Sequence, residues 1–305
     1  MALDNVSQLH TLDPMREPAP GRPERVEVLT RVCVDELLDA FGLGGPGRGR
    51  HLLELISRVP AKRLAGQVAT YDEIVGESGL AAGGAWALGR MARRVEVEGR
   101  ERVPPEGPLL LAANHPGLAD ALALFATVAR PDLRVVAAER PFLAALPNTS
   151  RYLIPVAEAF PKKRFEAVRI ATRHLKGGGA ILTFPGGKIE PDPAVLAGAV
   201  EALERWSESL DLFARFVPDL TVVPAVVSGV LSPTALRNPL IFVRRQPRDR
   251  EWLAATLQML TPVLRNVSTR VAFGPPIRAE DIPDRTVREA VLEEVRRLIE
   301  HREVR

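Results

Sequence analysis

The stretch LLLAANHPGLADALALFATVA, residues 109–129, decides how the rest of the chain is read. Its first five residues are an unbroken apolar run, the pattern of a strand buried on both faces. Pro116-Gly117 marks a turn, and the alanine- and leucine-rich continuation predicts a helix. A strand that turns into a helix in this way puts His115 on the rim of a parallel sheet, where open α/β folds keep their chemistry. Asp120 falls in the predicted first helical turn, where the helix dipole favours a carboxylate. If the turn folds back, Asp120 holds one ring nitrogen of His115 and leaves the other as a base. A turn histidine beside a helix-capping Asp would have the same spacing, so context has to decide.

That context repeats downstream. AILTF reads as a second buried strand and runs into PGGKIEPDP, so Phe184, Pro185, Gly186, Gly187 and Lys188 form a second turn at a strand end. Glycines there let backbone N–H groups approach a ligand, or simply make a tight turn. It is not a Walker loop, because the spacing and the Ser/Thr after the Lys are missing. Before AILTF, PKKRF opens a predicted helix with Lys162, Lys163 and Arg164. Three cations at a helix N-terminus oppose its dipole; a bound anion would relieve that, and so would solvent around a plain charge cluster. RVEVEG, LRVVAA and TVVPAVVSGVL are further strand candidates, LIFVRR and STRVAFGPPI weaker ones, with helices predicted at 165–176, 194–216 and 286–301. Strand alternating with helix indicates an α/β fold: a mostly parallel mixed sheet flanked by helices.

Upstream, residues 1–25 are rich in Pro and Arg and are expected as a loose tail. Residues 26–94 carry four helical patterns and are expected as a helical N-terminal subdomain, followed by an α/β domain over 95–280 and a C-terminal helix over 281–305 packed on it. The last of the four patterns, GLAAGGAWALGRMARR, suits a close-packed core helix or one lying on a membrane surface.

At 305 residues the chain can bury a large core, and 46% hydrophobic with 26% charged residues is ordinary for a globular protein. Lys plus Arg number 41 against 38 Asp plus Glu, so a net charge of +3 demands no polyanionic partner. Aromatics at 5% count against stacking platforms for nucleic acid, and no nucleic-acid partner is expected. The single cysteine, Cys33, excludes an internal disulfide framework and a multi-cysteine zinc site, and no metal site is expected. The N-terminal residues lack the plan of a signal peptide, and no 18-residue apolar run exists. The expectation is a cytoplasmic protein that touches a membrane, if at all, peripherally from its cytoplasmic face.

Taken in order, NHPGLAD, a basic cluster before a helix, FPGG after a strand and VVPAVVSG resemble the glycerophospholipid acyltransferase superfamily, which includes the PlsC-type lysophosphatidate and the glycerol-3-phosphate acyltransferases. The first motif of that superfamily, NHxxxxD, is matched by Asn114, His115 and Asp120. The third, FPEGxxS, is matched by Phe184, Pro185 and Gly187; Gly186 stands where the family has Glu, and Lys188, Ile189 and Glu190 replace Thr-Arg-Ser. Lys162, Lys163 and Arg164 are counterparts of the second motif's arginine, and Pro224 of the fourth motif's proline. The resemblance covers about 94–230. It implies that His115, oriented by Asp120, takes the proton from an acceptor hydroxyl, which attacks an acyl thioester of CoA or acyl carrier protein, with no cofactor and no acyl-enzyme. Losing the base would remove about 10²- to 10⁴-fold in rate. Asn114, the basic cluster, the Phe184–Lys188 turn and Pro224 would bind substrate, with N–H groups near Gly186 and Gly187 facing the oxyanion or the acceptor. The acceptor implied is a glycerol phosphate or lysolipid, although the altered third motif also suits a different polar head. A thioester hydrolase, or a non-catalytic lipid-binding protein of the same fold, are the competing readings.

Overall fold

A computed structural model describes residues 21–45, 50–156 and 161–301, with side chains undescribed at 118 and 161–164. Most of the expected tail therefore lies outside the described residues, and the first helix already begins at Arg22. In chain order, α1 (Arg22–Ala40) and α2 (Arg50–Met91) precede β1 (Arg94–Glu98), β2 (Leu109–Ala113) and α3 (Leu118–Thr127). Then come β3 (Arg134–Ala138), α4 (Pro141–Ala144), α5 (Pro147–Ser150), β4 (Leu153–Val156), α6 (Pro161–Lys176) and β5 (Ala180–Thr183). α7 (Ala199–Ala202), α8 (Ser209–Phe216), β6 (Thr221–Ser228), α9 (Pro233–Leu236), α10 (Pro247–Leu260), β7 (Ser268–Phe273) and α11 (Val287–Glu300) complete it.

The strands form one seven-stranded sheet in the order β1-β7-β6-β2-β5-β3-β4. Among the described strands only β6 and β7 pair antiparallel; the other neighbours are parallel, giving the expected mostly parallel mixed sheet with helices around it. All five residues of β2 are buried, as are all four of β5 and all eight of β6, because central strands covered on both faces must be apolar throughout. Each fully buried leucine of β2 contributes about 1.5–3 kcal/mol relative to exposure. After β2 the chain builds β3, β4 and β5 on one side, then adds β6 on the other. The carboxyl end of β2 is therefore the switch point, where such sheets open a crevice. That is the end that carries His115.

The chain divides into two compact units. The α/β unit comprises 94–139, 151–230 and 268–305. Its core packs Leu110, Ile181, Val222 and Val226 of the sheet with Ala167, Leu175, Trp206 and Phe213, and with Val287, Val291, Val295 and Ile299 of α11. The helical unit comprises 1–93, 140–150 and 231–267. Buried Asp72 of α2 ties its segments together by accepting both the N–H and the hydroxyl of Thr149, each at 2.8 Å. Cys33 is buried there, and burial, reinforced by the nearby Glu36 charge, pushes its thiol up to about 11. It packs as the small apolar residue expected.

Three local readings change. The second and third predicted helices run together through Pro60, whereas the boundary before the fourth stands: α2 is two helices that meet at a kink at Gly79, with φ 84 and ψ 173. LIFVRR is no strand: Pro239–Val243 is a short 3-10 helix whose first turn is capped by Asn238, which accepts the Leu240 N–H at 3.0 Å. Proline at its start favours a turn over a ladder position. The helix predicted over 194–216 is broken into α7, a 3-10 turn at Leu203–Arg205, and α8, with Gly198 in the left-handed region before α7.

Candidate active site

Asn114 follows β2 directly and is 2% exposed. Its side-chain oxygen accepts the Val227 N–H at 2.7 Å and its amide donates to the Val227 carbonyl at 2.9 Å. The side chain thus extends the β2–β6 pairing by one rung and fixes where the strand ends. Pro224, in the same strand β6, is buried opposite Ala112. Its carbonyl accepts the Gly274 N–H at 2.8 Å, so its backbone faces the Gly274-Pro275-Pro276 departure from β7. A missing N–H is tolerated at such a break in the ladder.

His115 comes next, and its ring is bound on two sides. Nδ1 lies 2.8 Å from Asp120 Oδ2, and the Phe184 ring stacks on the imidazole with centroids 4.4 Å apart at 28°. The chain folds back between the two motif residues through Gly117, whose φ 156 and ψ −177 belong to a region populated almost solely by glycine. Asp120 is the third residue of α3 and is fully buried. Oδ2 also accepts the Gly117 N–H at 2.9 Å, and Oδ1 accepts the Ala121 N–H. These backbone donors hold the carboxylate as an acceptor, so Nδ1 carries the imidazole proton and the Nε2 lone pair is left for chemistry. No described residue bonds Nε2, and the side chain is 27% exposed. Burial alone would push the ring's pKa down. The Asp120 charge and hydrogen bond, with the charge of Glu190, outweigh it, so His115 titrates above the ordinary histidine range.

The turn after β5 supplies the second wall. Phe184 accepts the Gly187 N–H at 3.0 Å, and Gly187 takes φ 64. That donor closes the turn. Pro185 is buried, its carbonyl accepting the Ser207 N–H at 3.0 Å, while Lys188 and Ile189 are exposed. Lys162, Lys163 and Arg164 form the first turn of α6; their side chains lie outside the described residues. The backbone places that turn at the carboxyl edge, after β4, three strands from β2 in the sheet order. At about 4.8 Å per strand, β4 itself lies roughly 14 Å from β2.

Sequence reasoning missed two buried acids in IEPDP. Glu190 is 5% exposed; its Oε2 accepts the His115 N–H at 2.9 Å, its N–H donates to the His115 carbonyl at 2.8 Å, and Oε1 accepts from Trp206 Nε1 at 2.7 Å. Asp192 is fully buried and accepts the N–H groups of Gly229 and Val230, each at 2.8 Å, and of Ala194 at 2.9 Å. Together they pin the FPGGK loop to the ends of β2 and β6. Acids flanked by prolines directly after a glycine turn were the available signal.

A histidine whose Nδ1 is held by a buried carboxylate, at the switch point of a mostly parallel sheet, has the geometry to accept a proton at Nε2. Residues 94–228, from β1 to the end of β6, match the family model described as Acyltransferase. Comparison with curated proteins found no match. Among solved structures, the chain is similar to the 1-acyl-sn-glycerophosphate (LPA) acyltransferase PlsC of Thermotoga maritima, at 18% identity and a TM-score of 0.48, over 93% of this chain and 95% of that one.

Proposed function

We propose that the protein transfers a fatty acyl group from a CoA or acyl carrier protein thioester to a hydroxyl of a glycerol-phosphate or lysophospholipid acceptor. The observation that carries this is the His115–Asp120 pair, which leaves Nε2 at the accessible end of β2. Nε2 takes the acceptor's hydroxyl proton as that oxygen attacks the thioester carbonyl. The tetrahedral intermediate collapses, the C–S bond breaks, and the imidazolium returns the proton to the departing thiolate. General-base help of this kind contributes about 10²- to 10⁴-fold. No acyl-enzyme is required, in keeping with a lone cysteine that is buried with a raised pKa. The test is to incubate palmitoyl-CoA or palmitoyl-acyl carrier protein with a panel of lysolipids and glycerol 3-phosphate and to separate the products. A new acyl ester supports the reading. Free fatty acid released equally without acceptor would mark a hydrolase, and no turnover with any pair would favour a binding protein.

A phosphorylated acceptor would be read by the cations at the carboxyl edge. Lys188, exposed beside the Phe184 turn, and the first turn of α6 are the candidates. A charge-assisted contact to phosphate contributes roughly 1.5–3 kcal/mol, so Lys188→Ala or Arg164→Ala should raise the KM of lysophosphatidate about 10- to 100-fold. The KM of an unphosphorylated monoacylglycerol should hold. Equal effects on both acceptors would mean that these cations do not read phosphate, and a neutral or zwitterionic head would then suit the altered turn better.

A lipid acceptor also requires docking, because no described helix is long and apolar enough to cross a membrane. On α2, Leu52, Leu55, Ile56 and Val59 recur at helical spacing and are 64%, 72%, 61% and 61% exposed. Exposed Arg58, which pairs with Glu27, and exposed Lys62 and Arg63 lie on the same helix. An apolar stripe with cations beside it suits the headgroup boundary of an anionic bilayer, where each basic residue adds about 1 kcal/mol. Flotation with anionic vesicles should recover the protein at low salt, less at high salt, and at least about 10-fold less for Leu55→Asp/Ile56→Asp. Absence from the vesicle fraction in every condition would point to a water-soluble acceptor.

A further inference from the structure

Glu190 sits against the base in a way the family pattern does not foresee. His115 lies just beyond the β2 ladder, so its N–H and C=O need partners from outside the sheet. Glu190 supplies both, through Oε2 at 2.9 Å and its own N–H at 2.8 Å, and its other oxygen is anchored by the Trp206 indole at 2.7 Å. The carboxylate also fills the space beside Gly186: a methyl placed on Gly186 would fall 2.3 Å from Glu190 Oε1. Gly186 does not adopt a left-handed φ, so what requires glycine there is this volume and not the backbone conformation.

We propose that Glu190 is the positioning residue of His115, and that the carboxylate the superfamily writes at the third motif's Glu has moved in this chain from position 186 to position 190, into the same space. The proposal rests on His115 being the base and goes beyond it by naming what holds that base in register. Asp120 grips the ring from α3, Phe184 covers its face from the turn after β5, and Glu190 fixes the backbone from the loop beyond. The charged groups that act on the ring are Asp120 and Glu190; Arg205 acts on Glu190. Burial raises the Glu190 pKa, while the His115 N–H, the Trp206 N–H and the charges of His115 and Arg205 work to lower it. Its negative charge also supports protonation of His115.

Glu190→Gln keeps the size but loses the charge, and its amide can accept from only one of the two N–H donors. With palmitoyl-CoA and lysophosphatidate, kcat should fall about 10- to 100-fold, as a small displacement of a catalytic group does, with KM nearly unchanged. The acid limb of kcat/KM should move to lower pH, and the His115 Cε1 proton, assigned by its loss in His115→Ala, should show the same shift in an NMR titration that needs no substrate. A double-mutant cycle tests the shared volume. Gly186→Ala alone should lower kcat, but in a Glu190→Ser background it should cost little more, because the carboxylate it collides with is gone. Normal kcat and an unmoved His115 titration in Glu190→Gln would overturn the proposal, as would additive effects in the cycle. If Glu190→Ser does not fold, the Glu190→Gln titration decides alone. His115→Ala separates the two levels: turnover in that variant removes the base itself, whereas a dead His115→Ala beside a normal Glu190→Gln removes only the positioning role.

Discussion

His115→Ala is expected to lower kcat/KM by about 10²- to 10⁴-fold while the protein melts near the wild-type temperature. The rate loss would follow from removing Nε2, the proposed acceptor of the hydroxyl proton. The fold is spared because the His115 N–H and C=O bonds to Glu190 are main-chain and survive the substitution, and because the ring is 27% exposed. Phe184 loses its stacking partner, a modest effect beside the rate. In the wild type the same ring sets the pH dependence. A base must be neutral, so kcat/KM falls as pH drops through the His115 pKa, and that limb should lie above the ordinary value of about 6.5. Activity and thermal melts on the same preparations check both halves. A His115→Ala protein with near-normal turnover would end the assignment.

Asp120→Asn gives the second large loss, of similar size, and with it a change in pH profile. The carboxylate accepts from His115 Nδ1, Gly117 N–H and Ala121 N–H, and an amide must turn its NH₂ toward at least one of these donors. If it turns toward His115, the ring takes the wrong tautomer and Nε2 carries the proton, which disables the base. If it turns toward Ala121, one backbone donor is left unsatisfied at about 1–3 kcal/mol, seen as a lower melting temperature. Either way the Asp120 charge and hydrogen bond that raise the His115 pKa are gone, so the acid limb of any residual activity moves to lower pH. The double variant His115→Ala/Asp120→Asn should be little slower than His115→Ala alone, because Asp120 acts through the histidine. An Asp120→Asn protein with an unshifted limb would mean that the pair is only a helix cap.

What could be read from the sequence was whatever is local in the chain. The five apolar residues of β2, the Pro116-Gly117 turn and a carboxylate in the first turn of α3 lie within one short stretch, and the structure joins them as expected. Phe184 was placed in the site by its motif, and the structure puts its ring on His115. Glu190 and Trp206 were not legible, because their meaning depends on a loop returning across 75 residues to the end of β2. The helix expected over 194–216 failed for a related reason. Asp192 is committed to the N–H groups of Gly229 and Val230, which holds the stretch that follows it as a loop whatever its local propensity. Asn114 shows the reverse limit: a motif residue whose amide oxygen and nitrogen both bond Val227, a contact that no spacing argument reveals.

The pairing of β1 with β7 bears on how this molecule is made and cut. β1 is translated before all the other strands, yet its register partner, Arg94 to Ser268 through Glu98 to Ala272, follows only after β2–β6. Until then β1 has no ladder and β6 shows one open edge, a state that long-range pairing makes slow to resolve and prone to self-association. A fragment limited to 94–228 would freeze that state. It would contain His115, Asp120 and Glu190 but neither β7 nor the α11 residues Val287, Val291, Val295 and Ile299 that close the core under the sheet. The segment that the family model matches is therefore not the segment that folds, and an expression boundary drawn at Ser228 would yield an aggregate from a chain that keeps His115, Asp120 and Glu190.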